Sequence, residues 1–348
     1  MENITIPFKC DDNKEQIKKI LLDNISNVDP LFMKKVTKKK VLIKPNIAGP
    51  FTANMAATTS INLTRAMAEI VIESGGKVVV GDIPTTGYKA LEINGLDRLI
   101  HDLPVEMLKS EYKNVQINDM KLDIAMELLT CDYFISLPKI KTHILTGFTG
   151  AIKNTFGLVA PYDRKRLHLT SDIKEFCNVL FNIYSIRTPD LVIADGILAM
   201  EGIGPTHGNP RQCSTLLLGN NGIMLDDYIA ALMGYEANKL VLLREAKLRD
   251  NYTIQIECLP QDIVVLWKNY LKVPMFEGEK RIRFLHMALG TLKVDENKCK
   301  QCKVCENVCP AKAIDISKAP PFDFEKCVLC FCCLEMCPFG AIITQKRI

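Results

Sequence analysis

The chain has 348 residues, 48% hydrophobic and 24% charged, a balance that excludes a disordered chain and lets roughly three-quarters of the open chain's surface be buried. A net charge of +4 leaves no footprint for nucleic acid, and no apolar run reaches the ~20 residues needed to cross a bilayer. The 14 Cys are spread unevenly, with five in the first 290 residues and nine in the last 58.

The start of the chain carries Asp11, Asp12 and Glu15 and no apolar signal core, so the protein is read as cytoplasmic. Thiols stay reduced there, and 14 Cys point to metal ligation before disulfides. Asp12 with Glu15 is expected to cap a helix running to about Leu22. Val41-Leu42-Ile43 reads as a buried strand ending at Lys44-Pro45-Asn46. A helix from about Thr59 carries Leu63, Met67, Ile70 and Val71 on one face and stops at Gly75-Gly76. Further strands are expected at Val78-Val79-Val80, ending at Gly81-Asp82, and at Tyr133–Leu137, ending at Pro138-Lys139. Residues 191–194 end at Asp195-Gly196, and residues 215–218 precede a helix near 223–235. Apolar strands separated by helices predict an α/β fold, a mostly parallel sheet flanked by helices, over residues 1–272. Residues 273–290 are expected to link it to a small α+β domain over 291–348, where nine of the cysteines lie.

In open parallel sheets the ligand crevice lies beyond the carboxyl ends of the strands, which makes Lys44, Asn46 and Asp82 candidate binding residues. The richest stretch is 138–157. Glycine lets backbone N–H groups approach a ligand, lysine supplies positive charge, and histidine transfers a proton or binds metal. It reads as an anionic small-molecule site, with Lys139, Lys141, Gly147, Thr149, Gly150 and Asn154 binding and His143 and Lys153 catalytic. The competing reading is a solvated basic turn. A second stretch, 195–208, offers Asp195 as a catalytic group, Glu201 as a binding group, and His207; an ordinary wide turn explains it as well. Arg164-Lys165-Arg166 near His168 either holds an anion or lies on an exposed face.

The tail is more specific. Residues 299–310 and 327–338 both fit C-x2-C-x2-C-x3-C-P, offset by 28 residues, and Asp295/Asp323, Lys298/Lys326, Ala313/Ala341 and Ile314/Ile342 repeat with them. Three thiolates on a tight loop reach three corners of one cube, while the fourth, before proline, reaches the other cube. One [4Fe-4S] cluster is thus expected on Cys299, Cys302, Cys305 and Cys337, and a second on Cys327, Cys330, Cys333 and Cys309. Cys332 falls outside the register and is expected as a small apolar filler, with an unusual ligand or redox role as the alternative. Cys10, Cys131, Cys177, Cys213 and Cys258 match no ligand spacing.

Lys44-Pro45-Asn46, Gly81-Asp82, the loop 139–157, Asp195-Gly196, Glu201-Gly202 and Gly204-Pro205 together resemble the domain-of-unknown-function 362 family. That resemblance implies an iron–sulfur protein with a C-terminal ferredoxin module and brings no settled reaction. His143-x3-Gly147-Phe148-Thr149-Gly150-x2-Lys153 is also similar to a loop of the lactate racemase family, where the Lys tethers a nickel cofactor. His168 lies roughly where a nickel-ligating His would, whereas the family's second acid–base His, on an earlier loop, has no counterpart.

The leading expectation is a ferredoxin-linked oxidoreductase. Electrons from a soluble carrier (ferredoxin, flavodoxin or a reductase) pass through two clusters to or from a small anionic substrate or cofactor. A non-catalytic electron-transfer protein docking a partner enzyme, and a lactate-racemase-like metal-cofactor enzyme, are the alternatives. Neither nucleic acid nor a membrane is expected as a partner.

Overall fold

The computed structural model describes residues 3–84, 87–170, 172–202, 204–250 and 291–345. The expected linker at 273–290, the boundary at 272 and Cys258 lie outside the described residues. Strands follow in chain order as β1 (Thr5–Lys9), β2 (Lys40–Pro45), β3 (Lys77–Val80), β4 (Val105–Met107), β5 (Tyr112–Ile117), β6 (Met120–Ala125), β7 (Tyr133–Leu137), β8 (Lys139–His143), β9 (Gly147–Thr149), β10 (Leu191–Glu201), β11 (Asn209–Gly219), β12 (Thr291–Val294) and β13 (Ile342–Gln345). The main sheet has the order β1-β11-β10-β7-β2-β3-β4, with β8 on β10 and β9 on β8. Pairing is parallel from β10 through β7, β2 and β3 to β4, and antiparallel at β1/β11, β10/β11 and β8/β9. The expected mostly parallel α/β sheet is present.

The apolar strands divide by the two-residue period of a pleated sheet. Val41, Ile43, Val78, Val80, Ile135 and Ile193 face one layer, with Ile17, Leu21, Leu63 and Met67 from the helices Lys14–Val28 and Ile61–Glu73. Leu42, Val79, Phe134, Val192 and Leu217 face the other, with Phe176, Leu180, Leu225 and Ile229 from the helices Ile173–Ile186 and Gly222–Leu232. That second layer also takes in Leu292, Phe322, Leu329, Phe331, Leu334 and Ile342, so the cysteine-rich module shares a core with the α/β region.

Three local expectations need correction. The first helix is capped by Asn13, whose side chain accepts from the Gln16 amide at 3.0 Å, while the Asp12 carboxylate accepts from Ser60 Oγ instead. The strand beginning at Leu191 does not stop at Asp195-Gly196. A bulge between Gly196 and Leu198 carries it on to Glu201 in a long hairpin with β11. The stretch 138–157 is no open loop either: it folds as the hairpin β8–β9, the short helix Ala151–Asn154 and a 3-10 turn at Thr155–Leu158.

Candidate active site

Strand β8 explains why charged residues alternate in Lys139-Ile140-Lys141-Thr142-His143. A strand sends residues i, i+2 and i+4 to one side, and all five are buried. A buried ammonium needs partners, and the two lysines find different ones. Lys139 Nζ donates to Asp195 Oδ2 at 2.7 Å, and that carboxylate, itself 0% exposed, also accepts from the amides of Ser60 and Ile197. Among the described residues Lys141 Nζ donates only to the Ala57 carbonyl, at 2.6 Å, and burial followed by the nearby Lys153 lowers its pKa to about 7. His143 Nδ1 accepts from the amides of Leu145 and Thr146 at 3.1 and 3.4 Å, which fixes the ring proton on Nε2 in the neutral form.

A cavity of about 360 Å³ opens beyond the strand ends. Of the expected site residues, it brings together Asn46, Asp82, Lys141, His143, Thr149, Lys153 and Asn154. Lys44 stands directly behind them, fully buried, with Nζ on Asp82 Oδ2 and Asn154 Oδ1 at 3.0 Å each; burial lowers its pKa and Asp82 opposes the fall. A Cβ at Gly157 would overlap both the Asp82 carboxylate and the Lys44 side chain, so glycine there follows from this pair. Gly150 has the same logic. It leaves room for Asp226, whose carboxylate accepts from the amides of Ala151 and Ile152 and anchors the turn that carries Lys153.

Asp195, Lys139, Gly147, Gly150 and Glu201 do not line the cavity. Asp195 and Lys139 form the buried pair that holds β8 to β10, and Glu201 pairs with Arg211 Nη1 at 2.6 Å. Gly147 makes the β8–β9 turn with φ +86°. His207 stands apart, edge-on to Phe51.

Several lining residues had no place in the leading reading of the sequence. Arg164 reaches the cavity and donates to the Ile83 carbonyl, and burial lowers its pKa. His168 donates from Nδ1 to the Arg164 carbonyl at 2.6 Å, and burial pushes its pKa down to about 4, so the ring stays neutral. The largest surprise is the far wall. Asn307, Val308, Cys332, Glu335 and Met336, all from the cysteine-rich module, close the cavity. Glu335 Oε1 lies 3.7 Å from His143 Nε2, and burial lifts its carboxyl to about 7 against the pull of Lys153 and Lys141. Thr206 Oγ1 donates to the Glu335 carbonyl at 2.8 Å and Lys165 Nζ to the Asn307 carbonyl at 2.6 Å, which ties the module in place.

The module's own geometry fits an iron–sulfur group. Cys299, Cys302, Cys305 and Cys337 line one void. Burial, then the neighbouring Cys330, Cys327 and Cys309, push the Cys333 thiol well up, a crowding that a positively charged cluster reverses. Among the described residues no group of three or more His, Cys, Asp and Glu is placed to hold a single ion. Amides of Gln301, Ala313 and Ala341 donate to Cys299, Cys309 and Cys337 sulfurs at 3.4, 3.2 and 3.2 Å. The repeat is carried by the backbone as well: the helices Val304–Val308 and Cys332–Met336 both start from a residue with φ 59° and end on a cysteine with φ −67° and ψ 112°.

A thylakoid-associated protein of Synechocystis sp. is 32% identical over 201 residues, covering 56% of this chain; the chain spans 63% of that relative's length. The lactate racemase apoprotein from Thermoanaerobacterium thermosaccharolyticum has a TM-score of 0.43 at 13% identity, over 67% of this chain and 62% of that one. No helix among the described residues is long and apolar enough to cross a membrane. Residues 298–341 match the 4Fe-4S dicluster domain, which binds iron–sulfur clusters, and residues 41–231, more than half of the chain, match a domain of unknown function. The chain belongs to the DUF362 family.

Proposed function

We propose that this protein is a ferredoxin-linked oxidoreductase, in which electrons move between a soluble carrier and a small anionic molecule held in the cavity between the two regions. One observation carries the reading: the helix Cys332–Met336 of the iron–sulfur module is itself a wall of the cavity lined by Lys141, Lys153 and Arg164. A module that only stored electrons would have no need to complete a binding site.

In this reading Cys299, Cys302, Cys305 and Cys337 hold one [4Fe-4S] cluster, and Cys327, Cys330, Cys333 and Cys309 the other. Such clusters supply single electrons at low potential. The rest falls to side chains. Lys141, Lys153 and Arg164 share the cavity with two carboxylates, Glu335 and Asp82, and Asp82 is already paired with Lys44, so a bound anion offsets the burial of the remaining positive charge. Lys153 is steadied by the Phe156 ring, 5.5 Å from its ammonium. His143, held with its proton on Nε2, is the donor placed at the cavity edge, and Glu335 lies beside it. Asn46, Thr149 and Asn154 orient the ligand. Asp195 and Lys139 support the site from behind.

Anaerobic protein with counted iron and sulfide is to be reduced, then exposed to each small anion identified by mass spectrometry in the purified material. Reoxidation of the clusters, followed by their paramagnetic signal, is expected for at least one anion and is expected to slow at least ~100-fold in Lys153→Ala. Clusters that stay reduced with every such anion, or an unaffected Lys153→Ala, refute the proposal. A partner enzyme that co-purifies with no small molecule bound points instead to an accessory electron-transfer role.

A further inference from the structure

The two halves of the iron–sulfur module share a backbone and differ in what they show to solvent. At the 28-residue offset Lys300 corresponds to Val328, Gln301 to Leu329 and Lys303 to Phe331. Gln301 and Leu329 have φ of 52° and 49°, and Lys303 and Phe331 both have 59°, so the loop geometry does not select the side chains. Their surroundings do. Leu329 and Phe331 are 3% and 2% exposed, within the core shared with the α/β region. Lys300, Gln301 and Lys303 are exposed, and so is Cys302 between them, while the corresponding Cys330 is partly covered. Three other lysines of the module are paired, Lys298 with Asp295, Lys318 with Asp315 and Lys326 with Asp323, whereas Lys293 and Lys312, which do not flank an exposed ligand cysteine, are not in an ion pair among the described residues. Among the described residues no carboxylate pairs with Lys300 or Lys303.

We propose that the loop 300–303 is the port at which an acidic one-electron carrier protein docks. Electrons then enter at the cluster site formed by Cys299, Cys302, Cys305 and Cys337 and reach the cavity through the other. This deepens, and rests on, the electron-transfer reading above. One electron leaves the carrier's reduced group, which is oxidised by one electron, and one enters the module, which is reduced by one; no bond is made or broken. Electron exchange falls steeply with distance, so the carrier has to approach the edge marked by Cys302. Two unneutralised lysines flanking that edge draw in an acidic surface and raise the encounter rate.

The test uses full-length, cluster-loaded protein and reduced flavodoxin as the acidic carrier, with stopped-flow detection. Lys300→Glu/Lys303→Glu is expected to lower the second-order rate about 10-fold or more at low salt and to flatten its salt dependence. Affinity for oxidised flavodoxin, read by calorimetry, is expected to fall with it. Lys318→Glu/Lys326→Glu makes the same change in net charge elsewhere on the module and is expected to stay within about twofold of wild type. If the reversed pair folds poorly, Lys300→Gln/Lys303→Gln is expected to show a smaller loss in the same direction. A reversed pair as fast as wild type, or a control pair equally slow, overturns the proposal. So does a loss of binding to anionic phosphatidylglycerol vesicles at an unchanged rate, which would assign the port to a lipid surface. Iron and sulfide counts and photoreduction with deazariboflavin report the clusters themselves. Their failure defeats the electron-transfer reading, whereas slow reduction with intact clusters concerns the port alone.

Discussion

Lys141→Met tests whether the cavity is built around an uncompensated cation. The side chain is 2% exposed, its one carbonyl partner is Ala57, and burial with Lys153 nearby lowers its pKa from 10.5 to about 7. That fall corresponds to about 5 kcal/mol of charging penalty, at ~1.4 kcal/mol per pKa unit. The folded state favours the neutral amine, so between about pH 7 and 10.5 the unfolded chain binds more protons and stability rises with pH. Below about pH 7 the penalty is present in full. Methionine keeps the length of the side chain, removes the charge and gives up a charged hydrogen bond worth about 2–3 kcal/mol. The variant is therefore expected to be about 2–3 kcal/mol more stable than wild type near pH 6, with the gain vanishing near pH 9 and reversing by about 1–2 kcal/mol at pH 10. Anaerobic urea titrations of both cluster-loaded proteins at pH values of about 6 and 10 measure it. A difference that does not change with pH refutes the buried-cation argument, and a less stable variant at the lower pH refutes it outright. The same penalty bears on binding: an anion placed beside Lys141 raises its pKa again, so ligand binding just above pH 7 takes up a proton in wild type and less in the variant.

Two further substitutions separate roles that neighbouring residues share. Cys332→Ala is expected to leave iron and sulfide counts unchanged, because its thiol lines the cavity and lies outside the ligand register, whereas Cys333→Ala is expected to lose about half of the iron; an equal loss in both would make Cys332 a ligand. Asp195→Asn leaves the Lys139 ammonium without its buried counter-charge and is expected to cost about 3–5 kcal/mol of stability. If thermal unfolding shows normal stability while the variant no longer retains its anion, Asp195 acts on the ligand and not on the scaffold.

The cysteine loops are legible in the sequence because ligation is local. Four thiols within eleven residues, repeated once, state their purpose without a partner, and the matching backbone angles at Gln301 and Leu329 are that repeat in three dimensions. The sheet is legible for a similar reason, since runs such as Val41-Leu42-Ile43 and Val78-Val79-Val80 fit only a strand covered on both faces. Less of the site could be read. Lys139 and Lys141 are two residues apart and look alike in a row of letters, yet among the described residues one pairs with Asp195 and the other donates to a carbonyl. That difference comes from residues 56 and 84 positions away. Asp195 looked like an active-site acid because Gly196 seemed to end its strand, when the glycine marks a bulge within a longer one.

Glu335 is the instructive omission. No spacing rule joins it to His143 or Lys153, because the contact depends on how one region docks against the other. A signal was nevertheless present. Phe331-Cys332-Cys333-Leu334-Glu335-Met336-Cys337 is an apolar stretch with one carboxylate, and the position 28 residues earlier is Asn307. A charge inside an apolar segment is costly unless something meets it. Where a duplicated module places such a charge in one copy only, the reason lies outside the module, and here it faces Lys141, Lys153 and His143. The two copies have thus diverged in opposite senses. One loop carries lysines exposed to solvent, and the other carries the apolar surface and single acid that fit the α/β region. A module built this way has an outer end that faces solvent and an inner end that faces the cavity, which is the asymmetry the proposed docking port rests on.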